Sequence, residues 1–197
     1  TEHDGSPVTK TTYCPITYYE VLRNSNVTLW SAAIQNCIRD LRLMKVGLWK
    51  KLKNRDTTKK AISSRFVCQT KLDHNCNKIF AFARWTPRGF EQEPDFNGEF
   101  SGHYDPDAIF AGTPALAILR ILLAKKCKFR WKSFHLDFKR AFSSTPLERH
   151  LDILMPKGYI LRDKDGDELY LELDHSCEGL KQSGANWLKK ITEFLIN

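Results

Sequence analysis

In two segments, residues 61–72 and 78–85, the side chains alternate in character from one position to the next. These segments flank a short polar stretch at 73–77. Alternation with a period of two places successive side chains on opposite faces of a strand. Asp and Asn residues in the intervening stretch favour a turn. The pattern therefore predicts an antiparallel β-hairpin, which Pro87 and Gly89 end.

The other elements mix helices and strands. Apolar residues from Trp30 to Met44 recur every three or four positions, which predicts an amphipathic helix that begins near Asn26. Thr113 and Pro114 predict the start of a second helix, whose largely apolar sequence indicates burial. That helix covers 115–126, a closing helix covers 183–196, and strands are predicted at 46–52, 129–137, 153–155, 159–161 and 169–173. The order predicts an α+β fold with antiparallel strands and packed helices.

Charge points to a polyanionic partner. The net charge is +8, which favours nucleic acid over an anionic membrane, although lysines also keep an ordinary chain soluble. Lys59 and Lys60, with Arg65 nearby, are candidates for contact with a nucleic-acid backbone or are simply a solvated loop. The most apolar stretch, 115–124, is far shorter than the roughly 20 residues of a membrane helix. We expect no membrane partner.

Residues that could hold a structural metal are sparse. The six cysteines include no C-x-x-C pair, which favours a reduced intracellular protein. His74 and Cys76 share a polar turn, and the turn is a better explanation than a zinc site. In the acidic run 163–167 the glycine is not at the position that a calcium loop requires, and the closing Glu is absent, so the run predicts a hairpin turn.

Residues 1–24 carry Pro7 and Pro15 and show no period, which predicts a linker or disordered tail.

Asp137 is the main candidate for catalytic chemistry. It follows an apolar segment, and an Asp at the end of a strand could hold Mg²⁺ at the edge of a sheet. Asp is equally a residue that caps helices, and the pattern alone favours that structural role.

Four blocks in a single order favour the metal role instead. They are residues 61–67, 83–92, 136–142, and 178–183 followed by Trp187. Across residues 27–197 they resemble the reverse transcriptase domain of copia-type (pseudovirus) long-terminal-repeat retrotransposons. The resemblance implies the fingers and partial palm of a right-hand polymerase. Residues 25–112, with the hairpin 61–85, would form the fingers-like region, and 113–197 the incomplete palm.

The resemblance also implies roles for single residues. Asp137 matches the first metal-binding aspartate, the carbonyl of Phe138 would be a further Mg²⁺ ligand, and two such ions would catalyse nucleotidyl transfer. Phe142 matches the steric gate that excludes a ribose 2′-hydroxyl, although it could be only a core aromatic residue.

Three further residues match the nucleotide site. Arg84 and, more loosely, Lys71 match fingers residues that lie over the triphosphate, and both could instead be part of a solvated strand face. Gln182 matches the glutamine that contacts the sugar, and its alternative is a plain loop before a helix.

The implied partners are an RNA or DNA template-primer, deoxynucleoside triphosphates and the rest of a polyprotein with palm, thumb and ribonuclease H. The expected location is a cytoplasmic retrotransposon particle or the nucleus. No Tyr-x-Asp-Asp is present, so this fragment is expected not to polymerise alone. Glu178 stands where the family usually has Tyr. The alternatives are an inactive, basic nucleic-acid-binding relic of a retroelement and an unrelated basic module.

Overall fold

The computed structural model describes residues 14–72, 79–96, 102–134 and 136–196. Its helices are α1 (Tyr18–Arg23), α2 (Val27–Met44), α3 (Leu116–Phe129) and α4 (Ser183–Ile196). Its strands are β1 (Gly47–Lys51), β2 (Ser64–Leu72), β3 (Ile79–Pro87), β4 (Pro146–Ile153) and β5 (Leu169–His175). Short 3-10 turns lie at Leu52–Asn54, Gly89–Glu91, Pro106–Ala108 and Phe142–Ser144. Helices combined with antiparallel strands confirm the α+β class. No helix in the described ranges has the length and apolar character needed to cross a membrane.

The predicted hairpin is present as β2 and β3. The strands pair antiparallel from Ser64 opposite Pro87 to Leu72 opposite Ile79. Residues 73–78 between them, including His74 and Cys76, lie outside the described residues.

A second sheet has the antiparallel order β1-β5-β4. Ile62, just before the hairpin, joins the two sheets: its N–H donates to the Asp152 carbonyl at 2.9 Å, and its carbonyl accepts from Leu154 N at 2.9 Å. Helix α2 covers the inner face with Trp30 and Ile34, which belong to the same buried cluster as Leu171 and Leu173. Since α2 also packs on β3, one core connects both sheets.

Part of the segment predicted as a linker is helical. Thr17 caps α1 by accepting a hydrogen bond from Glu20 N, and Val21 is only 1% exposed. The Tyr18 ring meets Tyr159 edge-on at 5.1 Å between centroids. These contacts fix α1 on the core, whereas the proposed boundary at residue 24 stays a prediction.

Helix α3 corrects two predictions. It is not buried: Leu116 is 59% and Leu122 52% exposed, because no other described element covers it. Its N-cap is Ala115, which makes no side-chain cap bond, so Thr113 and Pro114 precede the helix rather than start it.

The strand predicted at 129–137 is also wrong. The described residues 131–134 and 136–138 pair with no strand, and Phe134 is 88% exposed. An apolar segment forms a strand only where a neighbouring strand accepts its hydrogen bonds, and none lies beside this one in the described chain. The strand predicted at 153–155 overlaps only the end of β4, and 159–161 forms no strand. The strands near 46–52 and 169–173 and the helix at 183–196 are confirmed.

Candidate functional site

A cavity of about 340 Å³ opens between α2, β3, the turn before β4 and the loop before α4. Three of the residues that the sequence proposed for nucleotide or metal binding line it: Arg84 from β3, and Phe138 and Phe142 from the turn. Glu178 from the loop and Arg140 from the turn also face it. Residues far apart in sequence therefore meet at one concave surface.

Arg84 is held at the cavity by β3. The strand buries the neighbouring residues Ala83 and Trp85, so alternation turns Arg84 outward. Its guanidinium lies 5.9 Å from the centre of the Phe82 ring and pairs with the Glu178 carboxylate. Both charged side chains are about half exposed, at 49% and 47%. Such a pair is worth at most about 1 kcal/mol, so an anionic ligand can replace Glu178.

A tight turn places Phe142. Arg140 adopts a left-handed backbone with φ of 58°, and the 3-10 turn Phe142–Ser144 follows. Thr145 closes that turn, because its N–H and hydroxyl both donate to the Phe142 carbonyl, at 3.0 and 2.7 Å. Arg140 was missed as a site residue, although it lies between Asp137 and Phe142 in one of the four sequence blocks.

Asp137 is exposed and lies beside the cavity rather than in its wall. It neither ends a strand nor caps a helix, so both structural settings considered for it are absent from the described chain. Its neighbour Phe138 lines the cavity and meets the Trp187 ring at 5.2 Å between centroids. Within the described ranges, the Asp137 carboxylate accepts no hydrogen bond and is open to a ligand.

Gln182 is not brought into the cavity that holds Arg84. It lines a smaller neighbouring one of about 30 Å³, together with Tyr104 and Asn186. Its side-chain oxygen accepts a hydrogen bond from Gln92 Nε2 at 2.9 Å. The loop before α4 thus separates Glu178, which faces the first cavity, from Gln182, which faces the second.

Comparison with known proteins decides the family. The family described as reverse transcriptase (RNA-dependent DNA polymerase) matches residues 47–197, which is more than half of the chain. The chain belongs to the reverse transcriptase family. It is similar to the retrovirus-related Pol polyprotein from transposon TNT 1-94 of Nicotiana tabacum, with 26% identity over 137 residues. That match covers 70% of this chain and 10% of the relative, and it supports the copia-type resemblance. No solved structure matches the chain.

Among the remaining predicted residues of this reverse transcriptase chain, those with described side chains do not line the cavity. Lys59, Lys60 and Arg65 are exposed, and Lys60 pairs with Glu93. Lys71 pairs with Phe80 through the hairpin backbone, and its side chain lies outside the described part of the chain.

Cys37 was not proposed from the sequence but lines the main cavity. Its sulfur accepts a hydrogen bond from Trp85 N at 3.0 Å, and burial raises the pKa of its thiol to about 11. The thiol is therefore protonated at neutral pH and contributes an apolar wall rather than a nucleophile.

Asp137 belongs to no cluster of carboxylates in the described chain. The acidic group found there is Asp163, Asp165 and Asp167, where the Lys51 ammonium lies 3.3, 2.9 and 2.8 Å from the three carboxylates. Hydrogen bonds from Lys51, and next from Lys53, hold the pKa of Asp167 below its usual value. The Lys51 ammonium thus occupies the position that a metal ion would take. The predicted hairpin turn is confirmed, because Asp163 N donates to Asp167 O at 3.0 Å.

Proposed function

We propose that this chain is the nucleotide-binding part of a copia-type RNA-directed DNA polymerase and that the cavity takes an incoming deoxynucleoside triphosphate. The observation that carries the proposal is the shared wall of Arg84, Phe138 and Phe142. A volume of about 340 Å³ lies at the lower end of the range of small-molecule sites.

Each side chain has a distinct task in the proposed site. Arg84 exchanges the Glu178 carboxylate for the triphosphate, which its planar guanidinium can bind through two hydrogen bonds. Phe142 narrows the cavity where a ribose 2′-hydroxyl would lie. Gln182 approaches the sugar from the neighbouring small cavity once the nucleotide is bound.

Asp137 and the Phe138 carbonyl are the proposed Mg²⁺ ligands. One open carboxylate fits Mg²⁺, which retains several waters and commonly shares its coordination with substrate phosphates. When bound, the ion would stabilise the negative charge of the leaving pyrophosphate. A second ion needs further carboxylates, and the described chain gathers none around Asp137. We therefore expect this chain alone to extend no primer.

Template and primer are the proposed macromolecular partners. Lys59, Lys60 and Arg65 offer exposed cations that would follow a phosphate backbone without reading its sequence. The rest of the polyprotein would complete the palm and supply thumb and ribonuclease H. A cytoplasmic retrotransposon particle or the nucleus is the proposed location.

Primer extension by a completed polymerase that contains this chain tests the proposal. Asp137→Asn should abolish extension, and ordinary extension would remove the metal role. Phe142→Ala should raise ribonucleotide incorporation with Asp137 intact, because the ring no longer blocks the 2′-hydroxyl. Unchanged sugar selectivity would leave Phe142 as a wall residue only.

A second candidate is an inactive nucleic-acid-binding relic, which the net charge of +8 favours. Titration of the chain with dTTP and Mg²⁺ separates the two. A relic would bind a primer–template duplex but not dTTP, whereas the proposed site binds dTTP and loses it in Arg84→Ala.

A further inference from the structure

Gln92 is a buried polar residue that connects the hairpin to the loop before α4. It follows the 3-10 turn Gly89–Glu91 and is 3% exposed. Its Oε1 accepts from Lys181 N at 2.8 Å, and its Nε2 donates to Gln182 Oε1 at 2.9 Å. Its carbonyl also accepts from Lys181 Nζ at 3.3 Å. A single side chain therefore holds two consecutive residues of the loop.

These bonds fix the direction of two amide groups. A backbone N–H can only donate, so the bond from Lys181 N requires the oxygen of Gln92 at that position. The Gln92 nitrogen must then face Gln182, and Gln182 must accept this hydrogen bond through its oxygen. The Gln182 Nε2 is left on the far side of its amide, where it donates to no group in the described part of the chain.

The loop itself is braced against rotation. Lys181 Nζ donates to the Tyr104 hydroxyl at 3.0 Å and lies 4.6 Å from the centre of the Tyr104 ring. Ser183 Oγ donates to the Cys177 carbonyl at 2.7 Å, which closes the loop at the start of α4. The Gln182 backbone is therefore held on both sides, and the amide direction remains the variable that Gln92 sets.

We propose that Gln92 is a positioning residue that aims the Gln182 Nε2 as a hydrogen-bond donor at the incoming deoxynucleotide. Sugar and phosphate present mainly oxygen acceptors, so a donor that reaches the bound nucleotide from the neighbouring small cavity would be complementary to them. The inference rests on the proposed function for its ligand, whereas the amide direction is a property of the chain alone.

Gln92→Glu tests the amide direction without removing the side chain. One carboxylate oxygen still accepts from Lys181 N, but the other can no longer donate to Gln182. We expect the Gln182 amide to reverse its direction, so that its Nε2 donates a hydrogen bond to the new carboxylate. In ¹H–¹⁵N spectra, the Gln182 side-chain NH₂ signals, identified by their loss in Gln182→Glu, should shift downfield and exchange more slowly with water. Unchanged Gln182 signals in a folded variant would overturn the proposal.

A second experiment measures the affinity of these variants for dTTP in the presence of Mg²⁺. Gln92→Glu and Gln182→Ala should each weaken dTTP binding about tenfold, the effect of one lost hydrogen bond. The double variant should bind no more weakly than Gln182→Ala, because both changes remove the same donor. Additive losses would overturn the positioning role.

Gln182→Glu keeps the proposal testable if Gln92→Glu does not fold. Its half-buried carboxylate still accepts from Gln92 Nε2, but a charged oxygen replaces the outward donor. The neutral variant Gln182→Ala therefore measures the part of the affinity loss that is not due to charge repulsion. We expect unchanged Gln92 amide signals with about tenfold weaker dTTP binding. Binding equal to that of the unaltered chain would overturn the proposal. If the unaltered chain binds no dTTP, the proposed nucleotide site fails, and the amide signals still decide what Gln92 does.

Discussion

At the scale of single residues, Glu178 determines whether Arg84 is ready for a phosphate. The resemblance marked Glu178 as a departure from the family, and its carboxylate neutralises the guanidinium at the cavity. A triphosphate must displace this carboxylate and then lie beside a like charge. Glu178 therefore lowers the affinity of the cavity for a triphosphate in two ways: it competes for Arg84, and its charge repels the phosphates.

Glu178→Gln should strengthen dTTP binding about three- to tenfold, since loss of an exposed ion pair is worth at most about 1 kcal/mol and repulsion is removed with it. Titration calorimetry with dTTP and Mg²⁺ measures the change. Glu168→Gln is the matched control, because Glu168 forms a similarly exposed pair with Arg162 at 3.1 Å outside the cavity. Equal strengthening in both variants would attribute the effect to net charge rather than to Arg84.

At the scale of elements, a close backbone approach fixes the loop before α4 against the end of β3. Gly179 has φ of 103°, and a Cβ there would lie 2.5 Å from the Pro87 carbonyl and clash with Thr86. A Cβ at Gly89 would likewise overlap the Gly179 carbonyl oxygen. Side chains at either position would separate the two walls that carry Arg84 and Glu178.

Gly179→Ala should lower the free energy of unfolding by about 2–4 kcal/mol, through backbone strain and overlap together. Gly166→Ala isolates the strain, because Gly166 has φ of 85° but nothing within 4 Å of a new Cβ. That control should cost about 1–2 kcal/mol. Urea unfolding of both variants gives the comparison, and equal losses would mean that the loop yields to relieve the overlap.

Sequence patterns predicted the elements whose signal is local. The hairpin β2–β3 and helix α4 follow from periodicity and turn residues within a dozen positions. The bond between Gln92 and Gln182 joins residues 90 positions apart and leaves no periodic trace. Burial of α3 was predicted wrongly for a related reason. An apolar sequence indicates that a helix packs against another surface, but it does not show that this surface belongs to the same chain.

At the scale of the whole molecule, the same buried cluster serves both sheets, while α3 contributes nothing to it. The buried cluster is supplied mainly by α2 and the strands of the two sheets. The segment from α3 to Asp137 exposes them, with Phe134 at 88% and Leu136 at 69%. Apolar residues of α3 can therefore be replaced without changing the buried cluster.

Replacing Ile118 and Leu122 together by Gln should reduce binding of the dye ANS, which reports exposed apolar surface. The two residues lie one helical turn apart and are each 52% exposed. Because neither belongs to the core, the free energy of unfolding should change by less than about 0.5 kcal/mol. Ile34→Ala is the control from the core, where Ile34 is 1% exposed, and it should cost about 2–5 kcal/mol. A loss above about 1 kcal/mol in the double variant would show that α3 packs on the rest of the chain in solution. Lower ANS fluorescence at unchanged stability would instead establish α3 as a surface helix.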